Sequence, residues 1–138
     1  MEVSQIRGTR FGLMALGILS TAINATTLAL VDAGISMLDY VTSLSLGLHL
    51  TQPLLDLSAP EENDLPMLVV ASLPGSGKVT LAQMETRLHV DRFEEMLLLG
   101  VEGCAVIKAE MESVVKARTK TVVERIEAVT ASSKAVEA

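Results

Sequence analysis

Three groups of residues in this 138-residue chain are of types that could do chemistry. Pro74-Gly75-Ser76-Gly77-Lys78 sets glycine amides beside a lysine, the combination that cradles phosphate in nucleotide-binding loops. Asp56, Glu61, Glu62 and Asp64 gather carboxylates that could hold magnesium or act as a general acid on a phosphodiester. His49 and His89 could transfer protons, and Cys104 could serve as a thiol nucleophile.

Each group also has a plainer reading. The phosphate-loop spacing breaks twice: Ser72 stands where the motif's first glycine belongs, and Val79 follows the lysine where a hydroxyl should hold magnesium. The residues after Lys78 alternate like a strand, whereas the motif needs a helix with its amino end at the phosphate. Positions 74 to 77 are therefore predicted as a hairpin turn. The carboxylates fall in or just before Ser58 to Asp64, and an acidic surface loop accounts for them without catalysis. Neither histidine has a nucleophile or carboxylate at a telling spacing, so both read as structural or exposed. Cys104 falls on the apolar stripe of a helix, which favours packing over reactivity. With two histidines and one cysteine far apart, no metal-ligand spacing exists, so neither a metal nor a cofactor is expected.

The elements that must position these groups make an α/β (α+β) pattern. From about Gly17 to Ala33 the chain is rich in Ala, Leu and Thr, helix-like, and closed by Gly34 as a left-handed stop. Phe11 to Val31 holds 21 residues without a charge, so a membrane span or a secretory signal is also open. Thr21, Asn24, Thr26 and Thr27 within it favour a buried globular helix, because each would be costly against lipid. Met1 to Arg10 has no clear period and reads as irregular.

Val41 to Leu50 alternates, with Leu44, Leu46, Leu48 and Leu50 on one face and Ser43, Ser45, Gly47 and His49 on the other. Pro66 to Leu73 reads as a second, more fully buried strand, and Lys78 to Glu85 as a third, antiparallel to it. A long amphipathic helix follows: Phe93, Leu97, Gly100, Cys104, Ile107, Met111 and Val114 recur in steps of four and three. Asp91 is its natural cap, with Glu94 placed to return a bond. Gly100 and Gly103 each weaken a helix by roughly 1 kcal/mol relative to alanine, which predicts close approach of a neighbour there. Lys116, Arg118, Lys120 and Arg125 read as a solvated helix face, and Ala131 to Ala138 as a frayed tail.

Composition narrows the function classes. The length suits one domain. Acidic residues number 17 against 11 basic, a net charge of −6 that argues against broad electrostatic binding of nucleic acid by the chain alone. A single cysteine excludes an intrachain disulfide framework and suits a reducing compartment. Only Phe11, Phe93 and Tyr40 are aromatic, which leaves almost no material for base stacking.

The ordered run from Ala22 to Val41, then Ser45-Leu-Gly-Leu48, Leu54-Leu-Asp-Leu-Ser58, Glu61-Glu62 and Met84-Glu-Thr-Arg-Leu-His-Val-Asp-Arg-Phe-Glu-Glu95, resembles the RNase PH-type subunits of the eukaryotic exosome ring. In detail it is similar to a fungal-like counterpart of the archaeal ring's catalytic subunit. The resemblance covers roughly Gly17 to Arg118. It implies a partial ribonuclease PH-like domain: a buried helix, a three-stranded, mostly antiparallel portion of sheet, and the long carboxyl-terminal helix. It also implies pairing with other RNase PH-type subunits in a six-membered hetero-oligomeric ring that threads RNA toward a 3′ to 5′ ribonuclease, in nucleus, nucleolus and cytoplasm.

In phosphorolytic members of that family, phosphate and the RNA end meet near a carboxylate pair in the pattern Asp-Leu-x-x-x-Glu-Asp. The resemblance carries the first position onto Asp56 and the last onto Glu62, and Leu50-Thr51 replaces the Asp-Gly that often precedes the pair. An extra methylene moves a carboxylate by roughly an ångström or more, enough to spoil a positioned acid. Residues 1 to 16 do not match and the family's first half, with its phosphate-gripping arginines, has no counterpart. The expectation is a truncated form, organised as a leader at 1–16, a partial domain at 17–125 and a solvated tail at 126–138. An incomplete sheet exposes edges, so the isolated chain is expected to be poorly soluble or partner-dependent. The function expected is a noncatalytic structural subunit for RNA processing and degradation. The alternatives are a phosphate-dependent exoribonuclease using Asp56 and a small secreted or membrane-anchored protein.

Overall fold

A computed structural model describes residues 3–57, 61, 64–84 and 86–136, with side chains described between 17 and 130. The elements in order are helix α1 (Val3–Asp32), strands β1 (Thr42–His49), β2 (Gln52–Leu55), β3 (Met67–Leu73) and β4 (Lys78–Met84), and helix α2 (Val90–Val136). The strands form a four-stranded sheet in the order β2-β1-β3-β4, antiparallel throughout. Expectation had only three strands. The fourth, β2, is a short edge strand whose Pro53 interrupts the strand pattern.

The chain divides into two compact units, Met1–Lys108 and Ala109–Ala138. In the first, alternation along the strands sorts the core into two layers. Leu46, Leu48, Leu68, Val70 and Met96 form one cluster, with Phe93, Leu97 and Val101 of α2 packed around it. Leu57, Met67 and Val69 form the other, with Leu19 of α1 and Leu54, Leu65 and Leu81 against it. Strand β3 is buried on both faces apart from its last residue, as the continuous apolar run from Met67 predicts.

The predicted close approach at the α2 glycines is present. A Cβ on Gly100 would lie 3.0 Å from both Leu46 Cδ1 and Val70 Cγ2, and one on Gly103 would lie 2.5 Å from Leu44 Cδ2. Cys104, fully buried, completes the contact: Thr42 Oγ1 donates to the Cys104 carbonyl at 3.0 Å, and the thiol donates to the Thr42 carbonyl at 3.4 Å. Packing, not reactivity, is the role of that cysteine.

Helix α1 differs from expectation in two respects. It begins at Val3, so the residues from Val3 to Arg10, read as irregular, are helical, each added turn extending a helix already nucleated downstream. It is also only half covered: Thr27 and Ser20 are buried, but Ile18, Thr21, Ala22, Ala25 and Thr26 are exposed. Among the described residues no helix is long and apolar enough to cross a membrane. Its end is as predicted. Gly34 adopts φ +71°, its N–H bonds the Val31 carbonyl at 3.0 Å, and the Ile35 N–H bonds that of Leu30 at 3.1 Å. This paired closure satisfies carbonyls a helix end would leave open.

The polar residues of α1 have a specific task. Strand β2 pairs with β1 only from Leu46 to His49, which leaves the outer edge of β1 without a strand partner ahead of that point. Asn24 takes the strand's place: its amide nitrogen donates to the Ser43 carbonyl at 2.8 Å and its amide oxygen accepts the Ser43 N–H at 2.8 Å. Thr27 Oγ1 donates to the Val41 carbonyl at 2.7 Å. Both faces of β1 are therefore covered, and its serines, expected on a solvent side, are buried. Leu50, expected on the apolar face, is instead 85% exposed in the turn.

Helix α2 opens at Val90, one residue ahead of the expected Asp91 cap, with the His89 carbonyl accepting the N–H groups of Arg92 and Phe93. In the second unit it continues without a break through Val136, in place of a frayed end from Ala131. The apolar stripe also ends sooner than its spacing predicts: Met111 is buried but Val114 is 62% exposed.

Candidate functional site

The glycine-rich turn is a hairpin turn, as the broken motif spacing predicts. Leu73 and Lys78 are register partners across it, and Gly77 holds φ +66°, where a side chain would be strained. Its anion is supplied from within the chain. The Gly75 N–H donates to Asp39 Oδ2 at 2.7 Å, while Asp39 Oδ1 accepts from the Tyr40 N–H at 2.8 Å and from Lys108 Nζ at 2.5 Å. The Lys108 hydrogen bond above all holds the Asp39 carboxyl below its usual range, against the opposing effect of burial, with the Gly75 and Tyr40 amides adding to it. Asp39 thus ties the connection ahead of β1 to the β3–β4 turn and to α2. Sequence reasoning missed this link, since residues 39, 75 and 108 share no local pattern.

The carboxylates lie near the β1–β2 hairpin. Two residues, Leu50 and Thr51, make its turn between the register partners His49 and Gln52. Leu50 sits at φ +57°, a left-handed conformation that costs a branched residue about 1 kcal/mol and suits Gly, Asn or Asp. The Leu50-Thr51 turn therefore carries a local strain. Asp56, just past β2, also adopts φ +57°, is exposed, and donates its N–H to the Ser45 carbonyl at 2.9 Å.

His49, Leu54, Glu61, Asp64 and Leu65 line an open depression of about 480 Å³. The structure thus brings His49 beside two of the predicted carboxylates, a grouping the sequence separates by more than a turn. Asp56 is not among the described residues of that lining, and Glu62 lies outside the described residues. Among those described, the lining has acidic side chains and an imidazole but no lysine or arginine. Such a surface can accept protons or hydrogen bonds, and it disfavours a phosphate dianion. His89, by contrast, is exposed at the start of α2, with Nδ1 3.3 Å from Asp91.

Residues 39–103 match the family model for the 3′ exoribonuclease family, domain 2. That span runs from Asp39 through all four strands to Gly103 on α2. The chain is 40% identical over 96 residues to the exosome complex component SKI6 of Saccharomyces cerevisiae, an alignment covering 70% of this chain and 39% of the relative. It is 41% identical over 105 residues to the exosome complex component RRP41 homolog of Arabidopsis thaliana, covering 75% and 44%. It is 38% identical over 101 residues to the human exosome complex component RRP41, covering 72% and 41%. The chain therefore spans about two fifths of the length of these curated relatives. Residues 39–103 thus carry the RNase PH-type domain that this model describes, domain 2 of the 3′ exoribonuclease family.

Proposed function

We propose that this chain supplies an RNase PH-type second domain to an RNA exosome core as a noncatalytic structural subunit in 3′ to 5′ RNA processing and degradation, rRNA maturation and mRNA turnover included. The relatives named as exosome complex components support the assembly. One observation carries the noncatalytic part: the described lining of the depression beside the β1–β2 hairpin is acidic, whereas phosphorolysis needs cationic groups to hold inorganic phosphate against the RNA end. The partners are other RNase PH-type ring subunits, with RNA passing through the assembled ring, in nucleus, nucleolus and cytoplasm. Asp56 and Glu62 are then degenerate active-site positions.

Reconstitution of the full chain with RNase PH-type partner subunits tests the reading. Comigration in one particle, with no phosphate-dependent release of nucleoside diphosphates and no change in Asp56→Asn or Glu62→Gln, is the expected result. Failure to enter the particle would overturn it. The exposed Asp56, held in a left-handed conformation at a strand end, favours a second reading as a phosphate-dependent exoribonuclease. Nucleoside diphosphate release that disappears in Asp56→Asn would establish that one.

A further inference from the structure

Within the second unit, the helix carries an apolar seam separate from any core cluster. Val115, Val122, Ile126 and Val129 follow steps of seven, four and three, with Thr119 completing the series, the spacing that keeps residues on one face of a helix wound against another. Val122, Ile126 and Val129 are 46%, 60% and 70% exposed and Val115 is half-buried, so the seam faces solvent from Val122 onward. All are β-branched. Such side chains are already confined to one rotamer in a helix, so docking them freezes little further freedom.

The flanks of the seam decide its partner. Writing Thr119 and Ile126 as the a positions and Val115, Val122 and Val129 as the d positions, the charged e and g positions with described side chains are Lys116, Arg118 and Arg125. All are basic. Glu124 and Glu127 fall at outboard positions, away from the seam. Flanking charges set partner choice in paired helices, and like charges there oppose association of identical chains. Lys116 pairs with Glu112 at 3.3 Å, but with the lysine side chain 77% exposed that pair is weak and readily exchanged. A second copy of this helix would set basic flank against basic flank. The seam is also narrow and lacks aromatic residues, unlike a helix that lies in a membrane surface.

We infer that the seam Val115-Val122-Ile126-Val129, flanked by Lys116, Arg118 and Arg125, is a docking surface for a protein helix whose own apolar stripe is edged by acidic residues. The inference is independent of the exosome reading, since it rests on this unit alone.

The test uses the full chain and two synthetic amphipathic helices with identical Leu/Ile seams, one with glutamate and one with lysine at every e and g position. The chain should bind the glutamate helix and not the lysine helix, more weakly as salt rises. Ile126→Gln should weaken that binding about tenfold, as removal of one apolar anchor predicts. The double variant Arg118→Glu with Arg125→Glu should switch preference to the lysine helix. Because these positions are exposed, circular dichroism should show unchanged helix content in both variants. Equal binding to the two helices, or none to the glutamate helix, would overturn the inference. So would a concentration-dependent dimer of the chain that Ile126→Gln abolishes, since the seam would then be a self-association surface. Binding of single-stranded RNA that the arginine reversals destroy and Ile126→Gln leaves intact would overturn it as well, by making the face electrostatic.

Discussion

The two faces of the sheet are covered by opposite means. α2 meets Leu46 and Val70 with a surface cut back to glycine at position 100, so its attachment depends on fit between apolar groups. α1 meets β1 through Asn24 and Thr27, and much of its attachment depends on completing backbone hydrogen bonds where β2 does not reach. An apolar contact fails when its volume changes, and a polar one fails when a partner is deleted.

Substitutions can sharpen or break that contrast, each read by urea unfolding of the full chain. The largest effect is expected for Gly100→Leu, which must force apart Leu46 and Val70, both fully buried, at a cost of about 3 kcal/mol. Gly103→Ala should be close to neutral despite its shorter contact. Its neighbour there is the flexible tip of the Leu44 side chain, and the helix gains about 1 kcal/mol from alanine. Equal losses at the two positions would show that the glycines do not act through rigid fit.

On the other face, Asn24→Ala should cost about 2 kcal/mol, because it strips partners from the N–H and the carbonyl of Ser43. A cost near zero would mean that the edge of β1 does not depend on α1. A smaller loss, about 1 kcal/mol at neutral pH, is expected for Asp39→Asn, which weakens the tie from Gly75 to Lys108. The Asp39 carboxyl is held below its usual value in the folded chain. Its contribution is therefore fully present above the ordinary carboxylate value of about 3.9 and is lost as pH falls through the lower folded value. The wild-type advantage should accordingly close in acid, and an advantage that grows there would refute the assignment. A gain of about 0.5–1 kcal/mol is expected for Leu50→Gly, which relieves the positive φ of the β1–β2 turn.

How legible each face was follows from the same contrast. The steps of four and three from Phe93 announced α2, and its glycines announced a close contact, because fit between apolar surfaces leaves a periodic trace. Val114 broke that reading only because periodicity shows which residues share a face, not how far along the helix the face is covered. The Gly34 stop and the hairpin at Gly77 were legible since a positive φ there calls for glycine. Leu50 hid its own behind a branched residue that does not advertise it, and Pro53 hid β2. Asn24 was visible as a polar residue to be satisfied, but its partner, Ser43, lies on another element. The site was legible only in part: the carboxylates were named, but the depression also includes His49, which the hairpin brings back toward Glu61 and Asp64.

The seat that Asp39 occupies on the Gly75 amide reaches beyond stability. A string reading Pro-Gly-Ser-Gly-Lys would ordinarily mark a chain for capture on immobilised nucleoside triphosphate. Here the turn arrives with its negative guest already installed and Lys108 drawn toward that guest, so the chain should run through such a column unretained.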